Sequence, residues 1–307
     1  MSGDPAPDKG SPKAGMEEEG QAKSPKKRSE LRTRLTIGPL LILLIAGIYT
    51  LDLGQTEGYL SAAVLGLLAL VGMLEYVTMM RRAKLPIARS ISLLAAVALH
   101  AMPFFYASWE KLDIELYAPV LLTVLLTFVM SLRALLRSRM EKGLEEMGAT
   151  LMGFLLVAWP MYFAQGLALR SLPALIWLII VSKSGDIGGY GLGVAIGRHK
   201  LIPHVSPGKS IEGSIGSLLM SLGVGLLTYP LLLVEVMPLS SWVLVALLSL
   251  LINLMTQAGD LVESVLKRRC KVKDSSTLLP AHGGVLDLVD SLLFSVPTFF
   301  FVLVRMT

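Results

Sequence analysis

Near the C-terminal end of the chain, Asp260, Glu263, Ser264 and Lys267 stand at i, i+3, i+4 and i+7, a spacing that lines them along one face of a helix. Further on, Asp287 and Asp290 are one turn apart and are expected to share a face at the start of another apolar segment. His282, Gly283 and Gly284 directly precede that segment, where free amides and the helix dipole favour anions. Arg268, Lys273 and Asp274 lie between the two groups. Carboxylates bind hard cations, lysines and arginines bind phosphate, and a glycine pair lets backbone approach an anion closely. Two carboxylates from different helices can hold Mg²⁺ while phosphates complete its shell. Structural ion pairs at helix ends are the plainer alternative, but two acids one turn apart repel unless a cation neutralises them. The ensemble predicts metal-assisted phosphate chemistry at a membrane surface.

A second polar stretch runs Ser184-Gly185-Asp186-Ile187-Gly188-Gly189-Tyr190, then Gly193, Gly197-Arg198, and Ser206-Pro207-Gly208-Lys209-Ser210-Ile211-Glu212-Gly213. No strand precedes its glycines, so they are not a dinucleotide fingerprint. Gly189, Gly193 and Gly197 at four-residue spacing predict a close helix-packing face. Asp186, inside an apolar run, is expected to face the interior or a polar cavity. Ser206 to Ser210 have the composition of a phosphate-cradling loop with Lys209 as its charge, and equally that of an ordinary turn. Glu75 reads as lining a cavity or pairing with an arginine. Lys183 reads as a snorkelling side chain. His199 and His204 read as solvated, and His100 as packing.

The elements that must position these groups are apolar. Of 307 residues, 53% are hydrophobic, too many for an ordinary soluble domain. The single cysteine, Cys270, excludes an internal disulfide and a multi-cysteine metal site. The net charge of +5 comes from basic loops between apolar runs, without the interleaved aromatics of a strand-binding surface, so nucleic acid is not an expected partner. Residues 1–33 are polar and aperiodic and read as a disordered basic cytoplasmic tail. Nine apolar segments follow, roughly 35–51, 58–80, 88–107, 117–136, 147–168, 171–195, 211–234, 239–262 and 284–304. The expected fold is an all-α polytopic membrane protein of about nine transmembrane helices, with N-terminal helices over 34–170 and a catalytic region over 171–307. Alternate loops carry the lysines and arginines, which places the N-terminus and both polar stretches in the cytoplasm and the C-terminus outside.

With these residues in view, the sequence resembles the phosphatidate cytidylyltransferases, the CDP-diacylglycerol synthases. Their C-terminal signature is matched in order and spacing by Ser264, Lys267, Arg268, Lys273, Asp274, Pro280, His282, Gly283, Gly284, Asp287 and Asp290. Their upstream pattern is matched by Asp186, Gly189, Tyr190, Gly197, Arg198, Leu201, Pro203, Ser206, Pro207, Lys209, Ser210, Glu212 and Gly213. The resemblance is sharp over about residues 180–295. One position departs: the signature arginine between the two aspartates is Leu288 here. Arg269 and Lys271 are the expected substitutes for its charge.

The resemblance implies transfer of CMP from CTP to phosphatidic acid, giving CDP-diacylglycerol and pyrophosphate for phospholipid synthesis. It implies Mg²⁺ as cofactor, with a second cation admissible, and membrane lipid as a partner, and it is compatible with a homo-oligomer. It implies metal binding by Asp260, Asp287 and Asp290. Lys267, Lys273, His282 and Asp287 are the expected catalytic groups. Asp186, Ser206, Lys209, Ser264, Arg268, Gly283 and Gly284 are expected to bind substrate phosphate. The expected location is a cell's inner membrane, with the site on its cytoplasmic face. Three readings stay open beside this one: a CTP-dependent lipid transferase with another acceptor, an inactive homologue, and a transporter.

Overall fold

The structure is a computed structural model that describes residue 47 and residues 50–52, 58–105, 112–237, 242–279 and 283–306. The N-terminal tail, most of the first apolar segment, and Pro280, Ala281 and His282 lie outside the described residues. Its helices are α1 (Tyr59–Arg82), α2 (Arg89–Phe105), α3 (Leu112–Leu135), α4 (Met140–Gly153), α5 (Trp159–Arg170), α6 (Leu172–Ile196), α7 (Ile211–Leu232), α8 (Trp242–Arg269), α9 (Val285–Val289) and α10 (Leu292–Met306). A turn of π-helix, Phe154–Ala158, joins α4 to α5. A two-stranded antiparallel hairpin, β1 (Lys200–Ile202) and β2 (Ser206–Ser210), separates α6 from α7.

Among the described residues, six helices are long and apolar enough to cross a membrane, counting α4 to α5 as one, and α2 and α10 are shorter apolar helices. The chain is an integral membrane protein. Nine spans were expected; the described residues supply six long ones and two short. Large apolar side chains stay exposed on the outer helices, such as Leu121, Leu125, Phe128 and Leu132 along α3 and Leu227 and Leu231 on α7. Such a surface suits lipid rather than water.

Two departures from the sequence reading shape the site. The Ser206–Ser210 stretch is strand β2, with Lys200 opposite Ser210, and not a turn. The ninth apolar segment is no continuous helix: α9 ends at Val289, a turn covers Asp290 and Ser291, and α10 starts at Leu292. Asp287 and Asp290 therefore do not share a helix face.

The glycine face does form, between α6 and α7. A Cβ on Gly213 would lie 2.9 Å from the carbonyl oxygen of Gly189, and one on Gly216 would lie 2.8 Å from that of Gly188. These contacts leave no room for larger residues and draw the two backbones together. Ser210 caps α7, accepting from the Gly213 amide at 3.1 Å.

Candidate active site

Three carboxylates from two parts of the chain converge. Asp260 and Glu263 project from α8 and Asp290 from the α9–α10 turn, with one ligand atom of each within 4.8 Å of the others. Lys209 on β2 pairs with Asp260 at 2.6 Å, and Ser264 Oγ lies 3.5 Å from the same carboxylate. Lys267, one turn beyond Glu263, pairs with it and with Asp287 Oδ1 at 2.8 Å. On the far side, Lys183 of α6 reaches Asp186 at 3.4 Å. Five carboxylates thus face three lysines, and if all were ionised two negative charges would be in excess. Full ionisation of such a half-buried cluster is costly unless a cation shares the site; otherwise protons must. Oxygen donors from Asp260, Glu263 and Asp290 suit a hard divalent ion, and Glu263 is fully buried with neither oxygen hydrogen-bonded among the described residues apart from its ion pair. The donor set fits Mg²⁺.

The electrostatics agree with that fit. Burial and the neighbouring Asp260 carboxylate push the Asp290 carboxyl up to about 7, against the pull of Lys183. Burial also acts to raise Asp287, but bonds from Lys267, Ser275 and Gly284 outweigh it and hold its carboxyl below the usual carboxylate range.

Asp287, also expected to bind metal, is held by a set of donors. It accepts from Lys267 Nζ at 2.8 Å, the Ser275 amide at 2.8 Å, Ser275 Oγ at 2.7 Å and the Gly284 amide at 2.7 Å. These contacts fold the loop before α9 and engage both Asp287 oxygens, while Lys267 bridges Asp287 to Glu263 of the triad of Asp260, Glu263 and Asp290. Gly283 turns that loop with φ of 88°, where a side chain would be strained.

Glu75, from α1, completes the loop. It pairs with no arginine among the described residues; it is buried and accepts from Ser276 Oγ at 2.6 Å and the Val285 and Leu286 amides at 3.0 and 2.8 Å, while Ser275 Oγ, at 3.1 Å, shares its one proton between Glu75 and the nearer Asp287. A Cβ on Gly284 would lie 2.5 Å from Glu75 Oε2, so a larger residue there would displace the Glu75 carboxylate from the loop.

Beside the triad lies a cavity of about 460 Å³ between α6, the hairpin, α7 and α8. Asp186, Tyr190, Lys209, Ser214, Gln257 and Asp260 line it. Its floor is a polar seam that sequence reasoning missed. Ser214 Oγ donates to Gln257 Oε1 at 2.5 Å, Gln257 Nε2 to Asn253 Oδ1 at 2.6 Å, and Asn253 Nδ2 to Ser217 and Ser221 at 2.8 and 2.7 Å. Asn253 and Gln257 one turn apart in an apolar run were the available signal. Asp260 is nine residues from the end of α8, so the site lies about 14 Å below that helix end.

The remaining expected residues occupy the rim. Ser206 is half-buried at the start of β2. Arg268 Nε donates to the Val205 carbonyl at 3.1 Å and ties α8 to the hairpin. Lys273 is exposed, as are Arg269 and Lys271. His282 lies outside the described residues. Two lone histidines have partners: His199 Nδ1 is 2.6 Å from Glu212, and the buried His100 Nδ1 is 2.7 Å from Gln165.

Fold and site together define a membrane-embedded protein with a half-buried cluster of acids and lysines beside a cleft. The chain belongs to the cytidylyltransferase family, whose model matches residues 32–306. It is similar to an uncharacterized protein of Escherichia coli, YnbB, at 44% identity over 127 residues, 41% of each chain. It is also similar to phosphatidate cytidylyltransferases of Bacillus subtilis, 39% identical over 42% of this chain and 46% of that one, and of Mycobacterium leprae, 41% identical over 45% and 44%. The matched stretch spans less than half the length of each of these relatives.

Proposed function

We propose that the protein transfers CMP from CTP to phosphatidic acid, releasing pyrophosphate, on the cytoplasmic face of a cell's inner membrane. The observation that carries this reading is the juxtaposition of the Asp260, Glu263 and Asp290 triad with Lys209 on the wall of the α6–α7–α8 cleft. Family membership and the relatives named phosphatidate cytidylyltransferase support the same reaction. A phosphate oxygen of phosphatidic acid attacks the α-phosphorus of CTP, and the bond from that phosphorus to the bridging oxygen breaks. The nucleophile is a phosphate monoester, largely ionised near neutral pH because its second pKa is about 6, so little base catalysis is needed. The greater difficulty is the meeting of two polyanions. A divalent cation held by Asp260, Glu263 and Asp290 would neutralise the triphosphate and the departing pyrophosphate.

Lys209 supplies positive charge at the cleft wall and exchanges Asp260 for phosphate when substrate enters. Lys267 braces Glu263 against Asp287 and so fixes the acidic cluster to the signature loop. Arg268 steadies the hairpin that carries Lys209. Tyr190 and Val194, exposed at the cleft's outer edge, suit entry of a lipid from the bilayer. The polar seam below the cleft is bonded to itself, which favours a binding floor over a transport path.

The test is incubation of purified protein with labelled CTP, phosphatidic acid and Mg²⁺, followed by separation of lipid products. The expected result is a CDP-lipid that requires all three. Product with another lipid acceptor and none with phosphatidic acid would reassign the substrate, and no product at all would favour an inactive homologue.

A further inference from the structure

The charge that the sequence lacks at Leu288 arrives from another helix. Lys183 projects from α6 and donates to the Leu288 carbonyl at 3.2 Å, to Ser291 Oγ at 2.7 Å and to Asp186 at 3.4 Å. An ammonium has three protons, and this geometry offers an acceptor to each. Leu288 and Ser291 flank Asp290, whose carboxylate also accepts from the Ser291 amide at 2.5 Å. On the opposite side the turn is pressed against α8: a Cβ on Gly259 would collide with the Asp290 carbonyl. The turn that aims Asp290 into the triad is therefore gripped between Gly259 and Lys183.

Among the described residues, Arg269 and Lys271 form no hydrogen bond or ion pair with this turn, and both are exposed on the surface. Lys183 differs in kind. Its side chain is half-buried at 36% exposure and is committed to three partners at the site. A snorkelling lysine would extend to the membrane surface instead.

We propose that Lys183 is a positioning residue for Asp290, holding the α9–α10 turn so that this carboxylate can join Asp260 and Glu263 on a divalent cation. It does so in a chain that has leucine where the family pattern has arginine. The inference rests on the metal-assisted reading of the site, but its test does not depend on turnover. Groups that orient a metal ligand typically contribute ten- to a hundredfold to metal affinity.

The experiment titrates Mn²⁺ into metal-free, full-length protein and follows free Mn²⁺ by electron paramagnetic resonance. Lys183→Met is expected to weaken binding about tenfold or more. Lys183→Arg should retain part of the affinity, and Leu288→Arg should restore part of it in the Lys183→Met background. Ser291→Ala removes one acceptor and leaves every charge in place, so it provides the test if Lys183→Met fails to fold; a smaller weakening is expected. Unchanged or tighter Mn²⁺ binding by Lys183→Met, as for a simple counter-charge, overturns the proposal. So does unchanged binding by Ser291→Ala where Lys183→Met cannot be purified. Wild type that binds Mn²⁺ yet makes no CDP-lipid refutes the proposed reaction and leaves the role of Lys183 standing. Wild type that binds no Mn²⁺ removes both.

Discussion

Glu75→Gln is the sharpest probe of how the signature loop is held. Oε1 of Glu75 accepts from Ser276 Oγ and the Val285 amide, and Oε2 from the Leu286 amide and a share of the Ser275 hydroxyl, which also reaches Asp287. A glutamine keeps one oxygen and presents an NH₂ group in place of the other. A serine hydroxyl can rotate to accept from that group, but a backbone amide cannot. One buried amide is then left without an acceptor, at about 1–3 kcal/mol. Since α9 is a single short helix of five residues, this cost is expected to fall on its local opening rather than on the whole bundle. The opening equilibrium should rise about 5- to 150-fold, the factor equivalent to that energy. Hydrogen exchange of peptides covering residues 283–290, read by mass spectrometry, measures it directly. Exchange should accelerate there and stay unchanged in α3, and CDP-lipid formation should fall. Wild-type exchange at Val285 and Leu286 in the glutamine variant would refute the argument.

Four other outcomes follow from the structure. Asp260→Asn and Asp290→Asn should each abolish Mg²⁺-dependent turnover, whereas Asp287→Asn should loosen the loop around Ser275 and Gly284 and leave Mn²⁺ affinity within about tenfold of wild type; titration of the three variants separates these cases. Because Asp290 holds a proton up to a pH of about 7 and a metal must displace it, the Mg²⁺ needed for half-maximal rate should rise as pH falls below about 7, by up to about tenfold per unit. In stability terms, ionising Asp290 without a cation weakens the native state as pH rises from the ordinary carboxylate range to about 7, so a melting curve should lose stability over that window and regain it with added Mg²⁺. Gly213→Ala would bring a methyl to 2.9 Å from the Gly189 carbonyl and 3.0 Å from Ser210 Oγ, so α6 and α7 must part; a loss of about 1–3 kcal/mol is expected, visible as a lower melting temperature in detergent.

The membrane helices were legible because runs near the bilayer-crossing length need no tertiary information. The glycine face between α6 and α7 was legible for a similar reason: a four-residue period is local. The break at Asp290 was not. No glycine or proline interrupts Leu286 to Leu293, and the apolar pattern continues through it, so local rules give one helix. What breaks it is tertiary: Glu75 and Asp287 at its start, and Lys183 and Gly259 at the turn. That break exchanges Asp287 for Glu263 in the acidic cluster. Glu263 was visible on the α8 face, yet spacing alone could not say which acid of that face would meet Asp290. The hairpin was hidden because its strands are three and five residues long and include Pro207 and Gly208, which signal turns. Nothing within α1 announced that Glu75 would serve residues 200 to 211 positions away.

That separation has a consequence for biogenesis. At about 5–20 residues per second, roughly 10–40 s elapse between synthesis of α1 and synthesis of the amides that satisfy Glu75. Throughout that interval a nascent bundle carries a carboxylate whose partners do not yet exist, and the earlier helices must dock around a gap. The bundle is sealed only when the signature loop arrives. Substitutions at Ser275, Ser276 or Gly284 recreate the unsealed state permanently and expose the chain to membrane proteolysis. Their phenotypes in cells are therefore expected to register first as lower protein abundance, so activities in such variants are meaningful only per molecule of folded protein.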